Sequence, residues 1–368
     1  MGAEARHKVG LLDIAATLPK MTAALPSVLR GVPGFLRKPD DKESIGHIFQ
    51  RVAAKTPDHP FVRFEGDTLT YGQANDLVNR YASVLTDRGV RRGDVVGVLA
   101  KNSMRTLLVA LATVKLGATA GMLNFNQRGD VLEHSLGILD ARVLVVDGDC
   151  VEALESLDEA LPEKVILHAD ELDEKAASAS AENPATTAEV QAKEKAFYIF
   201  TSGTTGMPKA SLMSHFRWMK SMSGLGSMGV RLDKNDVLYC CLPLYHNNAL
   251  TVSLSSVLAS GATIAIGKQF SVSNFWKDVR ENEATAFTYI GELCRYLLTQ
   301  DETPQDSDNT IKLIVGNGLR PEIWEEFTTR FGIERVAEFY GASECNIAFI
   351  NAFNIDRTAG FCPLPYAV

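Results

Sequence analysis

From Ser44 onward the chain alternates short apolar runs with stretches of helical period, and this alternation most narrows what it can fold into. Strand-like runs at 95–100, 119–124 and 142–146 are separated by helical patterns at 72–88, 104–116 and 128–139. A helix between two strands returns the chain to the same end of a sheet, so the pattern predicts α/β units with mostly parallel pairing. Phe61 to Glu65, Gly66-Asp67 and Thr68 to Tyr71 read as a β-hairpin ahead of that series.

A second series begins at 196, with strands at 196–201, 236–241, 262–266, 285–290, 311–315 and 335–340 and helices from about 215, at 249–259 and at 272–282. Between the two, residues 169–195 are rich in Ala, Glu, Lys and Ser around Asn183-Pro184, the composition of a surface linker. The expected fold class is α/β: two lobes of mostly parallel sheet at 44–168 and 196–368, joined by the linker 169–195, after an arm at 1–43.

That arm differs in charge from the rest. Through Lys38 it carries a net charge of +4 against −12 for the remainder. Leu11, Ile14, Leu18, Met21, Leu25, Val28, Val32 and Phe35 recur at helical spacing, and prolines at 19, 26 and 33 predict a break into short pieces. A basic amphipathic arm fits either peripheral contact with an anionic membrane or packing on the protein's own body. No apolar run approaches the roughly 20 residues of a spanning helix.

The acidic balance, −8 overall, argues against a nucleic-acid surface, which needs a basic field. Six cysteines at 150, 240, 241, 294, 345 and 362 form no C-x-x-C pair and no zinc spacing with histidine, which suits reduced thiols in a cytoplasmic protein.

Chemistry concentrates after the strand at 196–201. Thr201-Ser202-Gly203-Thr204-Thr205-Gly206-Met207-Pro208-Lys209 combines four hydroxyls, two glycines and a lysine. Glycines admit close backbone approach, successive amides make an anion nest, and the hydroxyls and ammonium add donors, so the run reads as a phosphate grip. Its spacing departs from the P-loop pattern. Three further segments lie at predicted strand ends: Leu242 to Asn248 with His246, Gly316-Asn317-Gly318-Leu319-Arg320, and Glu338-Phe339-Tyr340-Gly341-Ala342-Ser343-Glu344. Strand ends are where α/β sheets bind ligands.

With these in order the chain resembles the adenylate-forming superfamily of acyl-CoA synthetases, adenylation domains and luciferases, whose signature segments are TSGTTG-x-PK and YG-x-[ST]-E. LNFNQRG at 123–129, YIGELCRYLL at 289–298, GNGLR at 316–320, IWEEF at 323–327 and EFYGASECN at 338–346 look like the fatty-acid transport protein and very-long-chain acyl-CoA synthetase branch. The resemblance implies a fatty acid:CoA ligase that joins a carboxylate to the α-phosphate of ATP, releases pyrophosphate and lets the CoA thiol displace AMP. Thr201, Ser202, Gly203, Thr204, Thr205, Gly206 and Lys209 would hold the β- and γ-phosphates. Glu344 would bind Mg²⁺, a hard cation that prefers carboxylate oxygen. Ser343 would contact the α-phosphate, Tyr340 would stack on adenine between Phe339 and Gly341-Ala342, and Gly316, Asn317 and Gly318 would pass close to that ring.

His246 would lie beside the acyl carboxylate, orienting it or gating the pocket. Tyr289 and Gly291 would border an apolar acyl tunnel, the glycine leaving room for the chain. Lys209, His246 and Glu344 are the expected catalytic set. Arg320 before Pro321 is explained as well by a solvated helix start.

The family pattern runs on beyond Val368, through a ribose-binding aspartate, a hinge and a small C-terminal domain bearing a catalytic lysine. The expectation is a chain that forms little acyl-CoA alone and needs that domain in cis. Two other readings stay open: a fatty-acyl-AMP ligase that loads a carrier protein, and a membrane-surface fatty-acid binding or uptake protein.

Overall fold

The runs Val95–Leu99, Thr119–Met122 and Val143–Val146 are buried along almost their whole length, as parallel strands covered by helices on both faces must be. The computed structural model describes residues 11–162, 165–201, 206–342 and 348–360. In chain order its strands are β1 (Pro60–Phe64), β2 (Asp67–Thr70), β3 (Val95–Leu99), β4 (Thr119–Met122), β5 (Val143–Val146), β6 (Ile166–His168), β7 (Lys195–Thr201), β8 (Lys209–Ser214), β9 (Val237–Cys240), β10 (Thr263–Ile266), β11 (Ala286–Ile290), β12 (Leu313–Asn317), β13 (Arg335–Tyr340) and β14 (Phe349–Ile350). One sheet runs β6-β5-β3-β4-β7-β8 and the other β14-β13-β12-β11-β9-β10-β1-β2. Pairing is parallel except for β7 with β8, β1 with β2 and β13 with β14.

The α/β class and the mostly parallel sheets agree with the sequence, but the sheets do not divide the chain at 169–195. Hairpin β1–β2, expected in the first lobe, joins the other sheet, with Val62 opposite Ile264 of β10. Strand β7, expected to open the second lobe, lies in the first sheet, with Phe197 opposite Ala120 of β4. Composition reports a local change in polarity and carries no signal of which distant strand completes a ladder. One buried cluster runs through both sheets, including Val96 and Phe197 on one side and Leu238 and Ile264 on the other.

The segment 169–195 is packed where a loose linker was expected. Helix Ala169–Ala176 buries Leu172 and Ala176. Arg80 donates to the carbonyls of Ala176, Ala177 and Ala179, and Thr187 donates its hydroxyl to the Lys115 carbonyl at 2.9 Å. Helix Met104–Lys115 is buried from Thr106 to its end, and the fully buried Lys115 ammonium reaches three amide oxygens, on Asn75, Asn79 and Asn183, at 2.9, 2.6 and 2.7 Å. Hydrogen bonds thus hold a segment too polar to be held by apolar burial.

The N-terminal arm also differs from expectation. Leu11–Phe35 is one helix, α1, that continues through Pro19, Pro26 and Pro33. Seven residues are close to two turns, so the three prolines share one side, and all three are exposed. There solvent can take over the carbonyls that each ring deprives of a donor. On the opposite side Gly31 and Gly34 are buried against the segment Met222–Val230, and a Cβ on Gly34 would overlap Ser223 Oγ at 1.7 Å. That glycine seam seats the C-terminal end of the helix, around Pro33.

His215 ties this core together. It is fully buried, and its Nδ1 accepts the Ile45 amide at the first turn of helix Ile45–Lys55, at 3.2 Å. Burial lowers its pKa to about 4. Protonating Nδ1 would also break the bond to Ile45, so the unfolded chain binds this proton more tightly. Stability is therefore present above about pH 6.5 and lost as pH falls toward 4, by about 1.4 kcal/mol per unit within that window. Thermal melts from pH 7.5 to 4.5 are expected to show this slope, and His215→Asn to flatten it. An unchanged slope in the variant would assign the acid sensitivity elsewhere.

Candidate functional site

The strand ends of β9, β11, β12 and β13 open toward one cavity of about 1250 Å³. Its polar wall comes from His246, Asn247, Asn248 and Asn317, and its apolar wall from Met213, Phe216, Leu225, Val252 and Ile350. Two wide helical segments, Met222–Val230 and Asn248–Ser253, have π geometry and both contribute to the lining. Such segments are uncommon and gather at functional sites.

A buried asparagine sets the turn that carries His246. Asn102, just after β3, donates to the carbonyls of Leu242 and Gly267 at 2.9 and 3.0 Å and accepts the Leu244 amide at 2.8 Å. The loop after β3 of one sheet is thereby stapled to the turn after β9 of the other. His246 presents an exposed edge to the cavity and packs its ring 4.5 Å from Tyr245, and the surrounding wall lowers its pKa by desolvation. Asn248 Nδ2 donates to Asn317 Oδ1 at 2.8 Å, which joins this turn to the end of β12.

Past β12, Gly318 takes φ +88°, the left-handed region open to glycine. A Cβ on Gly291 would lie 1.8 Å from the Gly318 carbonyl oxygen, and one on Gly316 would lie 2.2 Å from the Tyr289 carbonyl oxygen. The space beside Gly291 is filled by backbone, so this glycine serves the contact between two loops, where the sequence suggested room for an acyl chain. Tyr289 also departs from expectation. It is fully buried and donates its hydroxyl to Glu338, while its neighbour Ile290 lines the cavity.

Glu338 opens one of the strand-end segments, but the sequence assigned it no role. It is 5% exposed on β13, and its carboxylate accepts from Tyr289 Oη, from the Gly318 amide at 2.5 Å and from the Leu319 amide at 3.4 Å. Burial pushes its pKa up and these donors pull it back, with burial the stronger. Its role could not be read locally, because its partners lie far off in sequence.

Phe339, Gly341 and Ala342 line the cavity, whereas Tyr340 is 67% exposed with its ring 6.4 Å from Phe349. Thr201 ends β7 opposite Lys209, the exposed first residue of β8. Gly206 has φ +88°, and the Pro208 carbonyl meets His134 Nε2 at 3.0 Å. The grip residues Ser202, Gly203, Thr204 and Thr205, together with Ser343 and Glu344, lie outside the described residues. Arg320 stands at the N-cap position of helix Pro321–Arg330 without a side-chain capping bond, ahead of Pro321 in its first turn, and lies 3.8 Å from Glu292.

Two sheets meet at a cavity built from strand-end loops, with hairpin β7–β8 closing the edge of one of them. Residues 49–366 match the family of AMP-binding enzymes, and the chain belongs to it. It is 54% identical over 366 residues to the medium/long-chain-fatty-acid–CoA ligase FadD6 of Mycobacterium tuberculosis, a match that covers 99% of this chain and 61% of that protein. It is 35% identical over 337 residues to human long-chain fatty acid transport protein 1, covering 87% of this chain and 51% of that one. The chain thus spans about half to three fifths of the length of these relatives.

Among solved structures, a fatty acyl CoA synthetase of Mycobacterium tuberculosis superposes with a TM-score of 0.76 at 23% identity, over 87% of this chain and 65% of that one. ATP-bound MatB of Rhodopseudomonas palustris superposes with a TM-score of 0.72 at 23% identity, over 85% and 63%. At those identities the likeness is one of fold.

Proposed function

We propose that the chain is the nucleotide- and acyl-binding part of a long-chain fatty acid:CoA ligase (AMP-forming). The observation that carries this reading is a cavity whose wall joins apolar side chains to His246, Asn317, Phe339, Gly341 and Ala342, residues on or beside the family's signature segments. The 54% identity to a medium/long-chain fatty-acid ligase supports the acid class.

In this reading Thr201 to Gly206 and Lys209 grip the β- and γ-phosphates of ATP, and Ser343 meets the α-phosphate. Tyr340 covers the adenine, its exposed face being free to stack, and Asn317 and Gly318 border the ring. His246 orients the fatty carboxylate, which is already ionised at neutral pH and needs no base. Glu344 offers the hard oxygen donor that Mg²⁺ takes, and the ion would supply charge neutralisation at the phosphates. CoA is the acceptor, and a C-terminal domain in cis would complete both half-reactions.

A second reading has support from helix α1. Leu25, Leu29, Val32 and Leu36 form an exposed apolar stripe near Arg30 and Lys38, in the basic part of an acidic chain. That stripe suits peripheral contact with an anionic, cytoplasmic membrane face. Among the described residues no helix is long and apolar enough to cross a membrane.

Calorimetric titration of the chain with Mg²⁺-ATP separates the readings. The ligase reading expects ATP binding that tightens when palmitate is present. Lys209→Ala should weaken it by about tenfold to a hundredfold, the worth of one charge-assisted contact. Palmitate binding on anionic vesicles that ignores ATP, Mg²⁺ and Lys209→Ala would overturn the ligase reading in favour of a membrane-surface binding protein.

A further inference from the structure

One part of the cavity wall comes from outside the region that matches the family. Phe35, the last residue of α1, lines the cavity, although the match begins at residue 49. Its position is built. Lys220 Nζ donates to the Phe35 carbonyl at 2.7 Å and to that of Arg37 at 3.4 Å, and it rides 5.7 Å over the Phe35 ring and 4.9 Å over that of Phe216. The ring also packs beside Gly224, where a Cβ would meet Phe35 Cζ at 3.5 Å, an ordinary van der Waals contact. Next to it and one turn back, the buried glycines Gly34 and Gly31 fix the helix that delivers it.

Phe35 is 47% exposed as a residue and lines the cavity, so a substitution there leaves the core untouched. The lining residues fall into two contact groups. Asn248 and Asn317 are joined beside the segment Phe339 to Ala342, whereas Phe35, Phe216 and Gly224 gather around Lys220. A fatty acid with its carboxylate by the first group and its tail in the apolar cavity runs toward the second.

We propose that Phe35 is the chain-length stop of the acyl cavity, a specificity-determining residue supplied by the N-terminal helix and latched by Lys220. This rests on the acyl reading above. Each buried methylene strengthens binding by about fourfold, so affinity climbs with chain length until the tail meets the stop and then levels off. Chain-length preference in this protein is then written in a segment that the family's shared region does not include.

The test is competition of saturated fatty acids, from octanoate to icosanoate, against a fluorescent fatty acid bound to the chain. Phe35→Ala should move the plateau to longer acids, with about fourfold more affinity for each further methylene accommodated. Lys220→Met should move it the same way by less. Phe35→Trp keeps an aromatic ring on the seated helix and should move the plateau to shorter acids. A plateau that stays put in all three variants, with binding intact, overturns the stop while the acyl reading stands. Failure of the unaltered chain to bind any fatty acid overturns both.

Discussion

Gly291→Ala is expected to destabilise the protein by about 3 kcal/mol, read as a fall in the denaturant midpoint at unchanged slope. The added methyl would sit 1.8 Å from the Gly318 carbonyl oxygen and 2.5 Å from its carbon. Those are backbone atoms, so relief requires one loop to move as a body. Two other effects point the opposite way. Gly291 opens helix Gly291–Leu298, and alanine favours helix by up to about 1 kcal/mol while also restricting the unfolded chain. The sign of the result therefore decides between propensity and close approach. A neutral or stabilising substitution would mean that the two loops part at little cost, and ATP binding would then be unaffected as well.

Glu338→Ala is expected to be about as costly, near 3 kcal/mol, and to weaken ATP binding with it. The carboxylate accepts three hydrogen bonds, and its removal strands the Gly318 and Leu319 amides and the Tyr289 hydroxyl in the interior. A buried donor without a partner costs about 1–3 kcal/mol. Glu338→Gln discriminates a positioning role from simple filling. It keeps the shape and can still accept the Gly318 amide, but its N–H₂ then faces the Leu319 amide and the Tyr289 hydroxyl must turn to accept, so it should recover only part of the loss. Tyr289→Phe, which removes one donor and leaves the two amides paired, should cost only about 1 kcal/mol. If Glu338→Gln behaved as the unaltered protein in melting and in ATP affinity, the carboxylate would not be setting the loop.

What the sequence disclosed follows from how far each interaction reaches. Strands such as Val95–Leu99 and Val143–Val146 were legible because burial on both faces leaves a continuous apolar run. β8 was not, because Lys209–Ser214 is a partly exposed edge strand of mixed polar and apolar residues. Sheet membership was hidden for β1–β2 and for β7, since it depends on pairing with strands remote in the chain. The helix through Pro19, Pro26 and Pro33 ran against a rule that holds for isolated helices, and a glycine seam against a neighbour seats its C-terminal end, around Pro33.

The site divided along the same line. Contiguous motifs placed His246, Asn317, Phe339, Gly341 and Ala342, and the structure brings these to one cavity. Groups whose work is done on distant partners were harder to read: Asn102 carried no local mark, and Glu338 and Phe35 stood in noticed segments without a role of their own. Tyr289 and Gly291 were noticed for their motif but act toward the interior and toward Gly318.

The exchange of edge strands between the two sheets has a consequence in time. Val62 of β1 pairs with Ile264, about two hundred residues later. At a synthesis rate of roughly 5–20 residues per second, the hairpin leaves the ribosome on the order of ten to forty seconds before its partner strand exists. Through that interval Phe61 and Val62, both fully buried in the finished protein, have no β10 to pair with. The first sheet acquires β7 and β8 sooner. Synthesis therefore passes through a stage in which one sheet has all its strands while the other holds only an unmatched edge, and that edge is what a holding chaperone would meet.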